Sequence, residues 1–288
     1  MPFGRIIVPV SGTRLLDRKL EGALSIARRF GSSVDILFFR GTVNPQSVEH
    51  NSFFGEAAWE MTEIKWADEQ PKKDEVEAYS RKWLHERHVP EWGPVRNSRP
   101  SFRFIDVDGP YEIALVEHGR TSDLIIIGQP GGEMTALEAE INKLSVIASG
   151  RIVLLMPNEY KPSELSLKQV IIAWDGGVHA SMLVALAMPL LQVAEGVTVY
   201  SAGSGEEFRR KHDLIQRYLA CNNISANYVV ERHASSRIAK YLLEAADRHS
   251  ASLVCMGAYE NPRTLELLIG GNTRYVYSRS GIPVLFLC

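Results

Sequence analysis

The sequence predicts a doubly wound α/β fold written twice in one chain of 288 residues. Three apolar segments recur in order: 5–13 (RIIVPVSGT) with 169–177 (QVIIAWDGG), 123–129 (DLIIIGQ) with 252–258 (SLVCMGA), and 150–157 (GRIVLLMP) with 281–288 (GIPVLFLC). Each is a short run rich in Val, Ile and Leu between Gly, Pro or Ser, as a strand covered on both faces reads. Helical periodicity fills the gaps, and strands alternating with helices imply right-handed crossovers and a mostly parallel sheet in each half.

In the first half, strands are expected at 5–10, 34–39, 102–107, 123–129 and 150–157. Between the first two, Leu16, Leu20, Ala23, Leu24, Ala27 and Phe30 recur at helical spacing over 15–30. A second amphipathic run covers 110–119. In the second half, strands are expected at 169–173, 197–202, 226–231, 252–258 and 281–288. The helix over 179–194 contains Pro189, which bends or ends it. The helix over 235–249 starts at a capping Ser235 and sets Ile238, Leu242, Leu243 and Ala246 on one face. Thr273–Arg279 is expected to be a short helix. The halves are bounded as domains at 1–158 and 166–288, joined by a polar, proline-containing linker, each flavodoxin- or Rossmann-like with five strands.

The halves differ in length. Ser11 to Gly128 spans 117 residues and Asp175 to Gly257 spans 82, a difference of 35. The excess falls mainly in 41–99, which holds Trp59, Trp66, Trp83 and Trp92 and a helical stretch over 74–87. Two readings stand: an enlarged helical region packing its aromatics on its own domain, or a lid or partner surface, since Trp is enriched at binding hot spots.

Composition narrows the function. The net charge is −2 and the pI near 6.5, so no general attraction to nucleic acid or anionic membrane is expected. Cys221, Cys255 and Cys288 are far apart, without the spacing of a zinc ribbon or disulfide framework. No leader-like segment and no membrane-length apolar run is visible, which leads to the expectation of a cytoplasmic protein without membrane association.

In an open α/β sheet ligands bind beyond the carboxyl ends of the strands. Two loops of the second half end there. The first carries Trp174, Asp175, Gly176 and Gly177. The Asp175 carboxylate there can accept hydrogen bonds from an amine or a sugar hydroxyl, or cap the following helix, and the two roles are compatible. The second runs from Gly257 to Gly270, Gly271, Asn272 and Thr273, just ahead of a helix. That start can offer backbone N–H groups and a hydroxyl to a phosphate. Arg209, Arg210, Lys211 and His212 read as a solvated helix face. No catalytic triad and no metal-ligand cluster can be assembled.

This order of strand–Asp–Gly, strand–Gly, loop, Gly–helix and final Pro-Val strand resembles the universal stress protein family over nearly the whole chain, twice, apart from 41–99. The resemblance implies the adenine nucleotide alpha hydrolase-like fold. It also implies pairing of the final strands 151–156 and 283–287 as an intramolecular pseudo-dimer, with further homodimerisation open. Family members with an ATP site carry G-x2-G-x9-G-[S/T] and an Asp that contacts adenine. In the second half Asp175, Gly257 and Gly270 match, Glu260 replaces the second glycine and Gly271 the Ser/Thr, with Thr273 two residues on. In the first half Ser11 replaces the Asp, Gly128 and Gly131 match, and Ile141 and Asn142 stand where the third glycine and the hydroxyl belong. The resemblance therefore implies a universal stress response protein: a non-catalytic small-ligand or nucleotide-sensing module with a degenerate ATP motif. ATP or another adenine nucleotide is expected in the second domain only, at Asp175, Gly176, Gly257, Gly270, Gly271, Asn272 and Thr273. The alternatives are a weak metal-dependent ATP-binding or -hydrolysing protein and a ligand-free scaffold for a protein partner.

Overall fold

The computed structural model describes residues 3–41, 56–92, 100–107, 109–159, 165–203, 206–231, 238–258 and 271–287. The chain divides into two compact units, Met1–Gly128 with Gly132–Arg151, and Gln129–Gly131 with Ile152–Cys288.

The first unit contains β1 (Arg5–Val10), α1 (Leu16–Phe30), β2 (Ser33–Phe38), α2 (Glu56–Glu86), β3 (Ser101–Asp106), α3 (Tyr111–Arg120), β4 (Leu124–Gly128) and α4 (Ala136–Ala148). Its strands lie in the order β3-β2-β1-β4, all parallel. Ile6, Ile7, Val8, Leu124, Ile125, Ile126 and Ile127 are fully buried, as continuous apolar strands covered on both faces should be. Gly31 ends α1 in the left-handed conformation, its N–H donating to the Ala27 carbonyl at 2.8 Å.

The second unit contains β5 (Ile152–Met156), β6 (Gln169–Ala173), α5 (Val178–Gln192), β7 (Gly196–Ala202), α6 (Glu206–Cys221), β8 (Ala226–Glu231), α7 (Ile238–Arg248), β9 (Leu253–Gly257), α8 (Gly271–Arg279) and β10 (Val284–Leu287). The order β8-β7-β6-β9-β10 is parallel throughout and repeats the winding of the first unit. β5 then adds to β10 antiparallel, with Val284 opposite Leu155, Leu285 opposite Leu154 and Phe286 opposite Val153. The expected meeting of the two final strands is thus present. β5, the last strand of the first repeat by sequence, is packed into the second unit. Its five residues are all buried.

Three expectations on helices change. Pro189 does not end α5, which runs on to Gln192. A proline deprives the carbonyl four residues back of its donor, and that residue, Ala185, is exposed to water. The expected helix over 74–87 is the second half of the 31-residue α2, which tolerates Pro71 inside it. The helix expected from Thr273 starts two residues earlier, at Gly271. Ser235 lies outside the described residues.

α2 is pinned to its own unit by arginine–tryptophan stacking. The Arg40 guanidinium, buried at the end of β2, sits 3.9 Å from the Trp66 ring centre. It also donates to Asp106 Oδ2 at 2.7 Å and to Gln70 Oε1 at 3.1 Å. Arg87 lies 3.7 Å over Trp83, which is itself buried. Of the two readings of the insertion, Trp66 and Trp83 follow the intradomain one. The side chain of Trp59 is outside the described residues.

Candidate functional site

The rim of the second unit is built from the carboxyl ends of β6 and β9, which are paired neighbours with Ala173 opposite Met256. The Trp174 N–H donates to the Tyr200 carbonyl at 2.8 Å, and its indole Nε1–H donates to the Lys211 carbonyl on α6 at 3.2 Å. That double tether fixes the next residue, Asp175, on an exposed turn. Asp175 Oδ1 accepts the Gly177 N–H at 2.7 Å. This is an Asx turn rather than a helix cap, for Gly177 itself is the N-cap of α5 and no side chain caps there. Gly176 has φ +76°, a conformation that glycine adopts without strain. A Cβ there would lie 2.6 Å from Lys211 Cδ. The Lys211 stem therefore lies against the Asp175 turn, a placement that its position in a charged helical run did not reveal.

Gly257 has a packing reason of its own. A Cβ on it would meet the Ala180 backbone nitrogen at 2.6 Å and the His179 carbonyl carbon at 2.9 Å, so the first turn of α5 rests directly on this residue. Gly271 opens α8, and a Cβ there would meet nothing within 4 Å. Asn272 turns its side chain toward α7, where Oδ1 accepts the Ala239 N–H at 3.3 Å. Ala239 is the second residue of α7, so Asn272 does from another element what an N-cap side chain does locally. It also joins the amino ends of α7 and α8. Thr273 is buried. Gly270 and Glu260 lie outside the described residues. Asp175 and Gly257 thus come together on neighbouring strand ends, while Asn272 is turned to the start of α7 and Thr273 is buried.

At the same place in the first unit the space is taken by the chain itself. Leu15, in a left-handed conformation at φ +52°, lays its side chain over Gly128, where a Cβ would be 2.9 Å from Leu15 Cδ1. Asn142 Nδ2 donates to the Gly128 carbonyl at 2.8 Å in a buried bond, and Ile141 beside it is buried. A capping box closes the start of α4, with Glu138 N–H donating to Thr135 Oγ1 and Thr135 N–H donating to Glu138 Oε2. Gln129–Gly131, which ends on the second motif glycine, belongs to the second unit. Gln129 Nε2 donates to the Ser280 carbonyl at 2.9 Å, its Oε1 accepts the Asn158 N–H at 3.0 Å, and Asn158 Nδ2 donates to the Pro130 carbonyl.

Lys19 lies close by on α1, 4 % exposed. Burial lowers its pKa to about 8, opposed by the Glu138 carboxylate and reinforced by Arg14. Cys255, inside β9, is fully buried, which pushes its thiol up to about 12 and makes it unreactive. Among the described residues no cluster of His, Cys, Asp and Glu could hold a metal ion. Among the same residues no helix is long and apolar enough to cross a membrane. A groove of about 680 Å³ between Arg81, His85, Pro90 and Phe102 lies at the amino end of β3, opposite the rim where this fold class binds ligands.

No protein-family model and no curated protein matches the sequence. Solved structures do match the fold. A universal stress protein from Archaeoglobus fulgidus DSM 4304 aligns over 98% of this chain and 95% of its own, with a TM-score of 0.69 at 11% identity. A putative universal stress protein from Pseudomonas aeruginosa UCBPP-PA14 aligns over 99% and 93%, with a TM-score of 0.58 at 15% identity. The cytoplasmic domain of a prokaryotic cation chloride cotransporter aligns over 99% and 95%, with a TM-score of 0.51 at 13% identity. The chain therefore has, along its whole length, the fold of full-length universal stress proteins.

Proposed function

We propose that this chain is a tandem universal stress protein that binds a small ligand without catalysing its conversion, at one rim only. The ligand class is an adenine nucleotide, the site is the rim of the second unit, and Asp175 is its exposed acceptor. The observation that carries this reading is the asymmetry between the repeats. Leu15, Ile141 and Asn142 fill the first rim, whereas Asp175 stands on an exposed turn with Gly176 and Gly257 at adjoining strand ends. Asp175 Oδ1 is engaged by Gly177, which leaves Oδ2 for a donor such as an exocyclic amine. Calorimetric titration of the full chain with ATP and Mg²⁺ tests it. One site per chain is expected, weakened about tenfold or more by Asp175→Ala, a loss of about 1.4 kcal/mol. Two sites per chain, or one site indifferent to that substitution, would overturn it.

The ligand-free scaffold is the second reading, favoured by the inward-turned Asn272 and Thr273. Absence of any heat with ATP, ADP and AMP, together with an unchanged melting temperature, would decide for it.

A further inference from the structure

The groove of about 680 Å³ between the carboxyl end of α2 and the amino end of β3 lies wholly within the first unit. Its size is that of a small-molecule site, ~300–1,000 Å³. Its floor is apolar: Val89 and Phe102 are 5% and 4% exposed, and Pro90 lies beside them. The main chain of Phe102 is engaged on this side, its N–H donating to the Pro90 carbonyl at 3.0 Å and its carbonyl accepting the Trp92 N–H at 2.7 Å. Those bonds fix the floor.

One wall is the end of α2. Lys82 and His85 are three residues apart there and Arg81 and His85 four, so the three are neighbours on the helix surface. Their charges are not equally committed. Arg81 pairs with Glu77 Oε1 at 2.9 Å and with Glu91, which also lines the groove. Glu86 has the Arg87 guanidinium 3.9 Å away. Lys82 and His85 are exposed, and among the described residues neither side chain has an ion pair or a hydrogen bond. The last carbonyls of the helix are taken, Leu84 by the Arg87 and Val89 N–H groups and His85 by that of His88. The groove therefore joins an apolar floor to one unmatched cation with an imidazole N–H next to it.

The internal repeat shows what builds it. In the second repeat α6 ends at Cys221, five positions before β8 opens at Ala226 (226 − 221 = 5). In the first, α2 ends at Glu86, fifteen positions before β3 opens at Ser101 (101 − 86 = 15). That longer connection supplies Val89, Pro90 and Glu91 to the groove. The groove is thus a feature of the enlarged first repeat, at the amino ends of its strands rather than at a carboxyl rim.

The geometry points to a second small-molecule site, for a monocarboxylate with an apolar body: the body lies on Val89, Pro90 and Phe102, and the carboxylate meets Lys82 and His85. Charge sets the class. With Arg81 matched by Glu91, one unmatched cation suits one negative charge. Glu86 and Glu91 on the same groove oppose a second, since two like charges 4 Å apart repel by ~1 kcal/mol even in water.

Titration of the full chain with 3-phenylpropionate, followed by calorimetry and by ligand-observed NMR, tests this. A dissociation constant of about 1 mM or tighter is expected for so small a ligand. 3-Phenylpropanol, which lacks the charge, and phenyl phosphate, which carries a second, are expected to bind about fivefold more weakly or worse. Lys82→Glu is expected to weaken 3-phenylpropionate by about the same factor with an unchanged melting temperature, because that side chain is exposed. Excess ATP is expected to leave the titration unchanged, which separates this site from the nucleotide rim whether or not that rim binds. No binding up to about 5 mM, alcohol or phosphate binding as tightly as the acid, indifference to Lys82→Glu, or displacement by ATP would each overturn the inference.

Discussion

Lys19 shows how closely one residue can be judged against its own repeat. The offset of 164 pairs it with Leu183, which is buried at the same place on the equivalent helix. The first unit therefore buries an ammonium where the second buries a leucine. Since its pKa falls from 10.5 to about 8 on folding, the unfolded chain binds more protons between those values. Stability should thus rise as pH rises from 8 to 10.5 and be lower, and flat in this group, at pH 7. We expect Lys19→Leu to stabilise the chain by about 1–3 kcal/mol at pH 7, less than the full shift implies because Glu138 loses its cation. It should also remove the alkaline rise, as urea denaturation at several pH values would show. The motif glycines part in the same way. Gly257→Ala should cost about 1–3 kcal/mol through overpacking against Ala180, with or without nucleotide, whereas Gly271→Ala should be tolerated. Equal thermal shifts for the two would contradict that packing.

At the scale of elements, α2 and α7 rest on single side chains from elsewhere in the chain. Arg40→Met removes the stack on Trp66 and leaves Asp106 without its cation. A loss of about 2–4 kcal/mol is expected, together with faster proteolysis at the start of α2, read by limited digestion. Asn272→Ala should cost about 1 kcal/mol by uncapping α7. The strands were legible in the sequence because burial on both faces writes an unbroken apolar run, and β1, β4, β6 and β9 are such runs. α2 was only half legible, because its middle, at Trp66 and Gln70, is held by Arg40 just past β2 rather than by an apolar stripe. Asn272 read as a phosphate-facing residue, since nothing in its own neighbourhood points to a helix 33 residues earlier. Lys211 was missed for the same reason: its approach to Gly176 is set by the Trp174 indole on another element. Asp175, by contrast, was found from its place after an apolar strand, because strand ends and rims are fixed by the winding alone.

At the scale of the molecule, the division of the chain does not follow the repeat. β5 closes the first repeat in sequence but packs in the second unit, and residues 129–131 go with it. A fragment of residues 166–288 should therefore expose the edge of β10 and associate into large species. The full chain, which keeps β5 against β10, should not. Size-exclusion chromatography of the two at equal concentration distinguishes them, and identical profiles would show that β5 does not protect that edge. The antiparallel β5–β10 pairing also has a consequence during synthesis on the ribosome. The strand ending at Met156 emerges 128 residues ahead of Val284 (284 − 156), so at ~5–20 residues per second it waits roughly 6–25 s for its neighbour. Through that interval its five apolar residues have no β10 to pair with, which makes the nascent chain, rather than the finished protein, the state most in need of a chaperone.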